Sequence, residues 1–166
     1  MQPKPWFTRK FNLVQEPDIF PCILERLKGT PLRLEAKIAG FPANVLTMRR
    51  GEAWSIQEHA GHLYDLEPLW YGRIDDILAG MKIMREADLT NRKTHEANHN
   101  QVEIAQILVD FRKEREKFVK RLSGITIEDA QKSALHPRLM QPMKLIDLAF
   151  FVAEHDDHHL AMIEAM

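Results

Sequence analysis

Ser55-Ile-Gln-Glu-His-Ala-Gly-His-Leu-Tyr-Asp-Leu-Glu67 is the stretch from which the rest of the chain is read. Ser55 and Glu58 stand at the spacing of a capping box, in which the serine hydroxyl and the glutamate carboxylate each satisfy a free backbone donor, so a helix opens at Ile56. Ile56, Ala60, Leu63, Trp70, Ile74, Ile77 and Met81 carry one apolar face to Gly80 or slightly beyond, with Pro68 a candidate bend. The same three- and four-residue periodicity recurs on both sides. Upstream, Asp18 to Ala39 places Phe20, Leu24, Leu27, Pro31, Leu34 and Ile38 on one stripe. Gly29 and Pro31 predict a kink near Thr30, or two short helices in register. Downstream, a helix from Asn100 to Leu122 turns Ile104, Leu108, Phe111, Phe118 and Leu122 inward, with Arg115 interrupting the stripe. A last helix starts around Gln141-Pro142 and runs almost to the end. No stretch alternates with period two, so no strand is expected. The prediction is an all-α four-helix bundle, one domain over residues 1–166, with long crossover connections. The polar segment from Ile83 to Asn98 is long for a bundle connection, and such segments often line a site.

Composition narrows the function. With 23 Lys plus Arg against 24 Asp plus Glu, the net charge of −1 offers no excess to neutralise a phosphate backbone, so nucleic acid is not an expected partner. No apolar run approaches the roughly 18 residues of a membrane span, and the start is too polar for a secretory signal. A cytoplasmic protein is expected. The single cysteine, Cys22, closes no internal disulfide and reads as a small buried hydrophobe. Any metal here is held by nitrogen or oxygen.

Five of the 8 histidines fall in two helical stretches: His59 and His62 near the start of the second helix, and His155, His158 and His159 near the end of the fourth. His155 and His159 lie mid-arc on the apolar face, on successive turns about 6 Å apart along the axis, so both imidazoles can converge on one ion. His158 falls at the arc's edge. On the second helix, geometry alone does not choose between His59 and His62. A lone histidine on an apolar face is more often a satisfied core residue than a ligand, but burying two on adjacent turns costs desolvation twice unless one ion satisfies both. Three imidazoles suit zinc, nickel or a similar divalent ion with a position left open, the arrangement of catalytic sites. Glu154, Asp156 and Asp157 are candidates to orient ring N–H groups, or form a solvated face. Glu67 either pairs with a cation such as Arg115 or serves as a proton-transfer group near the metal. His95 and His99 read as solvated or capping, and His136 as a residue that can reach over a pocket mouth.

Trp54-Ser-Ile-Gln-Glu-His-Ala-Gly-His62-Leu63 with Glu67, and Phe151-Val-Ala-Glu-His155-Asp-Asp-His-His159-Leu, resemble the two signature stretches of the DinB/YfiT-like metalloenzymes. The resemblance implies a four-helix bundle, often a homodimer, with a three-histidine zinc or nickel site. It selects His62, the histidine followed by leucine, together with His155 and His159, and it picks out Glu67 as the recurrent glutamate. Met162 stands where many relatives carry glutamine. The implied activities include small-thiol-dependent S-transfer to small electrophiles, with the thiol as cosubstrate. A hydrolase using the same metal is the second possibility, and a non-catalytic metal or ligand carrier the third.

Overall fold

The computed structural model describes residues 3–13 and 15–166. Four long helices make the frame: α1 (Phe20–Ala39), α3 (Ile56–Leu78), α5 (Ile104–Ser123) and α7 (Leu145–Glu164). Between them lie three short ones, α2 (Ala43–Leu46), α4 (Arg92–Glu96) and α6 (Ile127–Gln131), and a two-stranded antiparallel hairpin, β1 (Ser133–Leu135) and β2 (Pro142–Lys144). The main packing contacts are α3 with α5 and α7, and α1 with α5 and α7. Consecutive long helices α1 and α3 therefore sit diagonally, as do α5 and α7, and the chain crosses the bundle end twice. That is the crossover topology the long connections allow. Among the described residues, no helix is long and apolar enough to cross a membrane.

The capping box at Ser55 and Glu58 forms as the spacing predicts. Several boundaries differ. The second helix stops at Leu78, because Gly80 takes the left-handed φ of 73° that ends it, and Met81 is left 53% exposed rather than facing inward. Asn100 caps nothing; it belongs to a 3₁₀ turn, and its Oδ1 accepts from the Ser55 hydroxyl at 2.7 Å. Pro142 pairs with Leu135 in the hairpin instead of opening α7. The hairpin was unreadable because three-residue strands are too short to show period two. It is docked by Leu135 on residues 82–84, with Leu135 N–H donating to Lys82 O and Met84 N–H to Leu135 O. Cys22 is exposed on α1 beside buried Ile23, one position off the apolar stripe.

α1 runs unbroken through Pro31. Proline at that position cannot donate to the carbonyl four residues earlier, which is Leu27 O. The Arg115 Nη1 reaches that carbonyl at 3.4 Å. Arg115, 1% exposed, also donates through Nε and Nη2 to Glu67 Oε1 at 3.0 and 2.6 Å, through Nη2 to Asp156 Oδ1 at 3.0 Å, and through Nη1 to Asp156 Oδ2. Thr30 Oγ1 donates to Asp156 Oδ2 at 2.8 Å. Each long helix thus contributes one residue to a buried polar layer: Thr30, Glu67, Arg115 and Asp156. The layer divides the core in two, with Leu27, Trp70, Phe118 and Ala153 in one apolar cluster and Leu34, Leu63, Phe111 and Leu160 in the other.

Candidate metal centre

α3 and α7 bring three buried imidazoles together. Ring centroids of His62, His155 and His159 are 5.4, 4.8 and 4.5 Å apart in pairs, and one ring nitrogen from each lies within 4.8 Å of the others. His155 Nε2 and His159 Nε2 face each other at 3.2 Å. Nitrogens sharing one ion at the usual bond length of about 2.0–2.1 Å stand about 3–4 Å apart, so this pair has the spacing of two ligands.

The neighbours decide which nitrogen is free. Thr94 Oγ1, from α4, donates its one proton to Asp65 Oδ2 at 2.9 Å, so toward His62 Nδ1, 3.0 Å away, it can only accept. His62 therefore carries its hydrogen on Nδ1 and keeps the Nε2 lone pair. Asp65 Oδ2 is also held by His99 Nε2 at 2.8 Å; against the desolvation of burial, these bonds from His99 and Thr94 keep its carboxyl below the usual range. On the other side, His59 Nδ1 and His159 Nδ1 share a hydrogen at 2.9 Å, which leaves His159 Nε2 for the centre and makes His59 its support. His155 Nδ1 is buried and has no partner among the described residues. Burial pushes His62 down to about 3 and His59 to about 4, and takes His155 and His159 well below 6.5, so all are neutral at pH 7. Neutral imidazoles, two with Nε2 atoms facing each other at 3.2 Å and a third with its Nε2 lone pair kept free, are a donor set that a borderline divalent cation satisfies, so these residues fit a metal.

Other assignments change. His99 is buried on Asp65 and packs against Gly61, rather than being solvated. Glu154, Asp156 and Asp157 orient no ring: Glu154 binds Arg9 and Arg26, Asp157 binds Arg26 and Arg33, and Asp156 binds Arg115 and Thr30. Glu67 takes the pairing with Arg115, with desolvation pushing its carboxyl up to about 7 against the pull of that guanidinium. Five residues turn a helix by about 140° from His62, and Glu67 accordingly faces the bundle interior instead of the cavity. Thr94 gave no sequence signal. Asp65, one turn after His62, could have been found by asking what shares its face.

The histidines close the inner end of a cavity of about 390 Å³. Its walls include the predicted 83–98 connection, through Glu86 to Leu89 and Asn91, and His136, which is buried in the wall rather than reaching over a mouth. Trp6, Trp54 and Trp70, all 3 tryptophans of the chain, line it. Trp54 lies nearly parallel to His159 at 6.1 Å, and Trp6 meets His155 edge-on at 4.9 Å.

Two substitutions test the supports. A Cβ at Gly61 would stand 2.3 Å from the ring of His99, which its Asp65 bond holds in place, so Gly61→Ala is expected to cost about 1–3 kcal/mol in urea unfolding. Thr94→Val removes the acceptor for His62 Nδ1–H and is expected to weaken metal affinity by about 10–100-fold in competition with a chromophoric chelator. An unchanged affinity would remove Thr94 from the centre.

Comparison with known proteins agrees with the fold. A solved structure described as "YfiT from Bacillus subtilis is a probable metal-dependent hydrolase with an unusual four-helix bundle topology" superposes with a TM-score of 0.81 at 18% identity, covering 95% of this chain and 90% of that one. No curated protein sequence matches. The sequence profile of the DinB superfamily matches residues 26–163, and the chain belongs to that superfamily.

Proposed function

We propose that the protein is a metal-dependent hydrolase of a small molecule, with His62, His155 and His159 holding a divalent ion, zinc or nickel, and Glu67 confined to the buried ion layer. The observation that carries the reading is the convergence of three neutral, buried imidazoles at the inner end of an aromatic-walled cavity. An ion held there supplies Lewis acidity, polarising an acyl or phosphoryl oxygen and easing ionisation of the nucleophile. The chain's own residues do the rest. Asp65 and Thr94 hold the proton on His62 Nδ1. Trp6 and Trp54 cover the rings and keep bulk water from them. His158, half-buried on the cavity wall with its ring 5.3 Å from that of His159, is held by burial below its ordinary value and stands ready as a neutral imidazole to take a proton from the nucleophile.

Small-thiol S-transfer is the second reading, supported by the resemblance of the signature stretches. The cavity volume favours hydrolysis, because transfer places two organic molecules side by side in a space near the lower end of the roughly 300–1,000 Å³ of ligand pockets. Metal analysis of the purified chain, followed by mass spectrometry of products from ester, amide and phosphoester panels with and without added thiols, decides between them. One ion per chain with metal-dependent hydrolysis products supports the proposal, and thiol adducts favour transfer. A stoichiometric ion with no turnover leaves a carrier, and no ion overturns the proposal.

A further inference from the structure

At the opposite wall of the same cavity stand Arg73 on α3, and His136 and Arg138 in the hairpin loop. Arg73 is 1% exposed, yet among the described residues neither it nor Arg138 has an ion-pair partner. The nearest acid along α3, Asp76, is taken bidentately by Arg85 at 2.8 and 2.9 Å. Arg73 Nε is left with the backbone carbonyl of Arg85 at 3.2 Å, and Arg138 Nη2 is buried without any partner. Asp76 still acts on Arg73 through space but makes no ion pair with it, and a desolvated guanidinium without a paired anion is costly. The rim acids do not serve. Glu86 and Asp88 are exposed, and Asp88 is used by its own turn through Thr90 and the Arg92 N–H.

His136 makes the surplus of donors explicit. Its Nδ1 faces the backbone N–H groups of Arg138 and Leu139, both at 3.2 Å, and its Nε2 faces Arg73 Nη1 at 3.2 Å. Every neighbour is a donor. A neutral imidazole has one lone pair and one N–H, so it can accept on one side only. Once Nδ1 serves the loop, Nε2–H and the Arg73 N–H groups stand side by side with nothing between them to receive their hydrogens. Burial pulls His136 to about 3, with the charges of Arg73 and Arg138 adding to it, so it does not become a third cation at pH 7.

We propose that this wall is an oxyanion site, and that the small molecule bound in the cavity carries a carboxylate or phosphoryl group seated among Arg73, His136 and Arg138 while its reacting end reaches the histidines. The part about the reacting end rests on the proposed metal centre. Trp70 links the two ends: its ring lies 5.5 Å from both the His155 ring and the Arg73 guanidinium carbon, so they are separated by no more than twice that distance. The span suits a short apolar body between acid and reacting bond, and Trp70 and Phe151 wall it.

The test uses chelator-treated full-length protein, so that it does not depend on metal. Benzoate, phenyl phosphate and uncharged benzamide are titrated, read by calorimetry and by the tryptophan fluorescence of a chain whose indoles all line the cavity. Saturable binding of benzoate, phenyl phosphate or both is expected, with benzamide at least about tenfold weaker, as a buried charge-assisted bond requires. Preference between the two anions identifies the acid group. Arg73→Met and Arg138→Gln are each expected to weaken anion binding about tenfold or more, while Arg121→Gln, on α5 and outside the cavity lining, leaves it unchanged. Without anion, Arg73→Met is expected to hold or raise the Tm, since it deletes a buried charge that has no ion-pair partner. Arg138 is half-buried, so its variant serves if Arg73→Met does not fold. Benzamide binding as tightly as benzoate, or both variants binding like the parent, overturns the proposal. Anion binding in a chain that takes up no metal would sink the metal centre alone.

Discussion

Arg115→Met is expected to lower the folding free energy by about 3–5 kcal/mol at pH 7, the largest loss for any single change outside the apolar core. Removing this one guanidinium orphans Glu67 Oε1, Asp156 Oδ1 and the Leu27 carbonyl that Pro31 leaves without a backbone donor, and leaves Asp156 Oδ2 with the Thr30 hydroxyl alone. Lysine is not a rescue, because one ammonium cannot fork to two carboxylates and a carbonyl. If the loss comes from orphaned charge rather than lost volume, adding Glu67→Leu and Asp156→Asn should recover most of it. Equilibrium urea unfolding measures both. A single-variant loss under about 1 kcal/mol would show that the layer is not held by Arg115.

The same layer predicts a pH dependence whose sign follows from Glu67. Its folded value, about 7, lies above the ordinary 4.5, because desolvation outweighs the Arg115 charge. A group raised on folding stabilises fully below its unfolded value and loses that contribution as pH rises through the folded one. Stability should therefore fall between about pH 4.5 and 7.5, by an amount on the order of 3 kcal/mol at 1.36 kcal/mol per unit. Glu67→Gln, a stand-in for the protonated acid, should match the parent at pH 5 and exceed it at pH 8. Parallel pH profiles of the two chains would contradict the burial argument.

What could be read from sequence, and what could not, divides along a physical line. Periodicity and a capping box expose long helices, since each turn repeats the signal. The convergence of His155 and His159 follows from four-residue spacing on one helix. Contacts between segments far apart in sequence carry no such repeat: Thr94 reaches His62 from a separate short helix, and Arg115 caps the carbonyl opened by Pro31 across the bundle. His99 looked like a loop residue because its partner, Asp65, lies on another element. Arg73 sits on α3 as one charge among many, and only the hairpin loop that faces it shows that its guanidinium meets the His136 ring instead of an acid.

His155→Ala with His159→Ala is expected to abolish stoichiometric metal uptake and the stabilisation that goes with it. An ion that binds only the folded chain, present at 100 times its dissociation constant, adds about 2.7 kcal/mol. For a chain of 166 residues that is a rise in Tm of roughly 5–11 °C, at about 2–4 °C per kcal/mol. The rise should vanish in the double variant, while without metal the paired His→Gln variant keeps near-parent stability, because the imidazoles it replaces are desolvated and His155 Nδ1 is unpartnered. His59→Ala separates a ligand from its support. Losing the partner of His159 Nδ1 frees that ring to turn, so the chain should still take one ion but hold it about 10–100-fold more weakly. Full uptake by the double variant, measured by elemental analysis after dialysis against zinc or nickel, would move any bound ion elsewhere. Loss of uptake in His59→Ala equal to that in the double variant would instead make His59 a ligand, with His159 turned to present its other nitrogen.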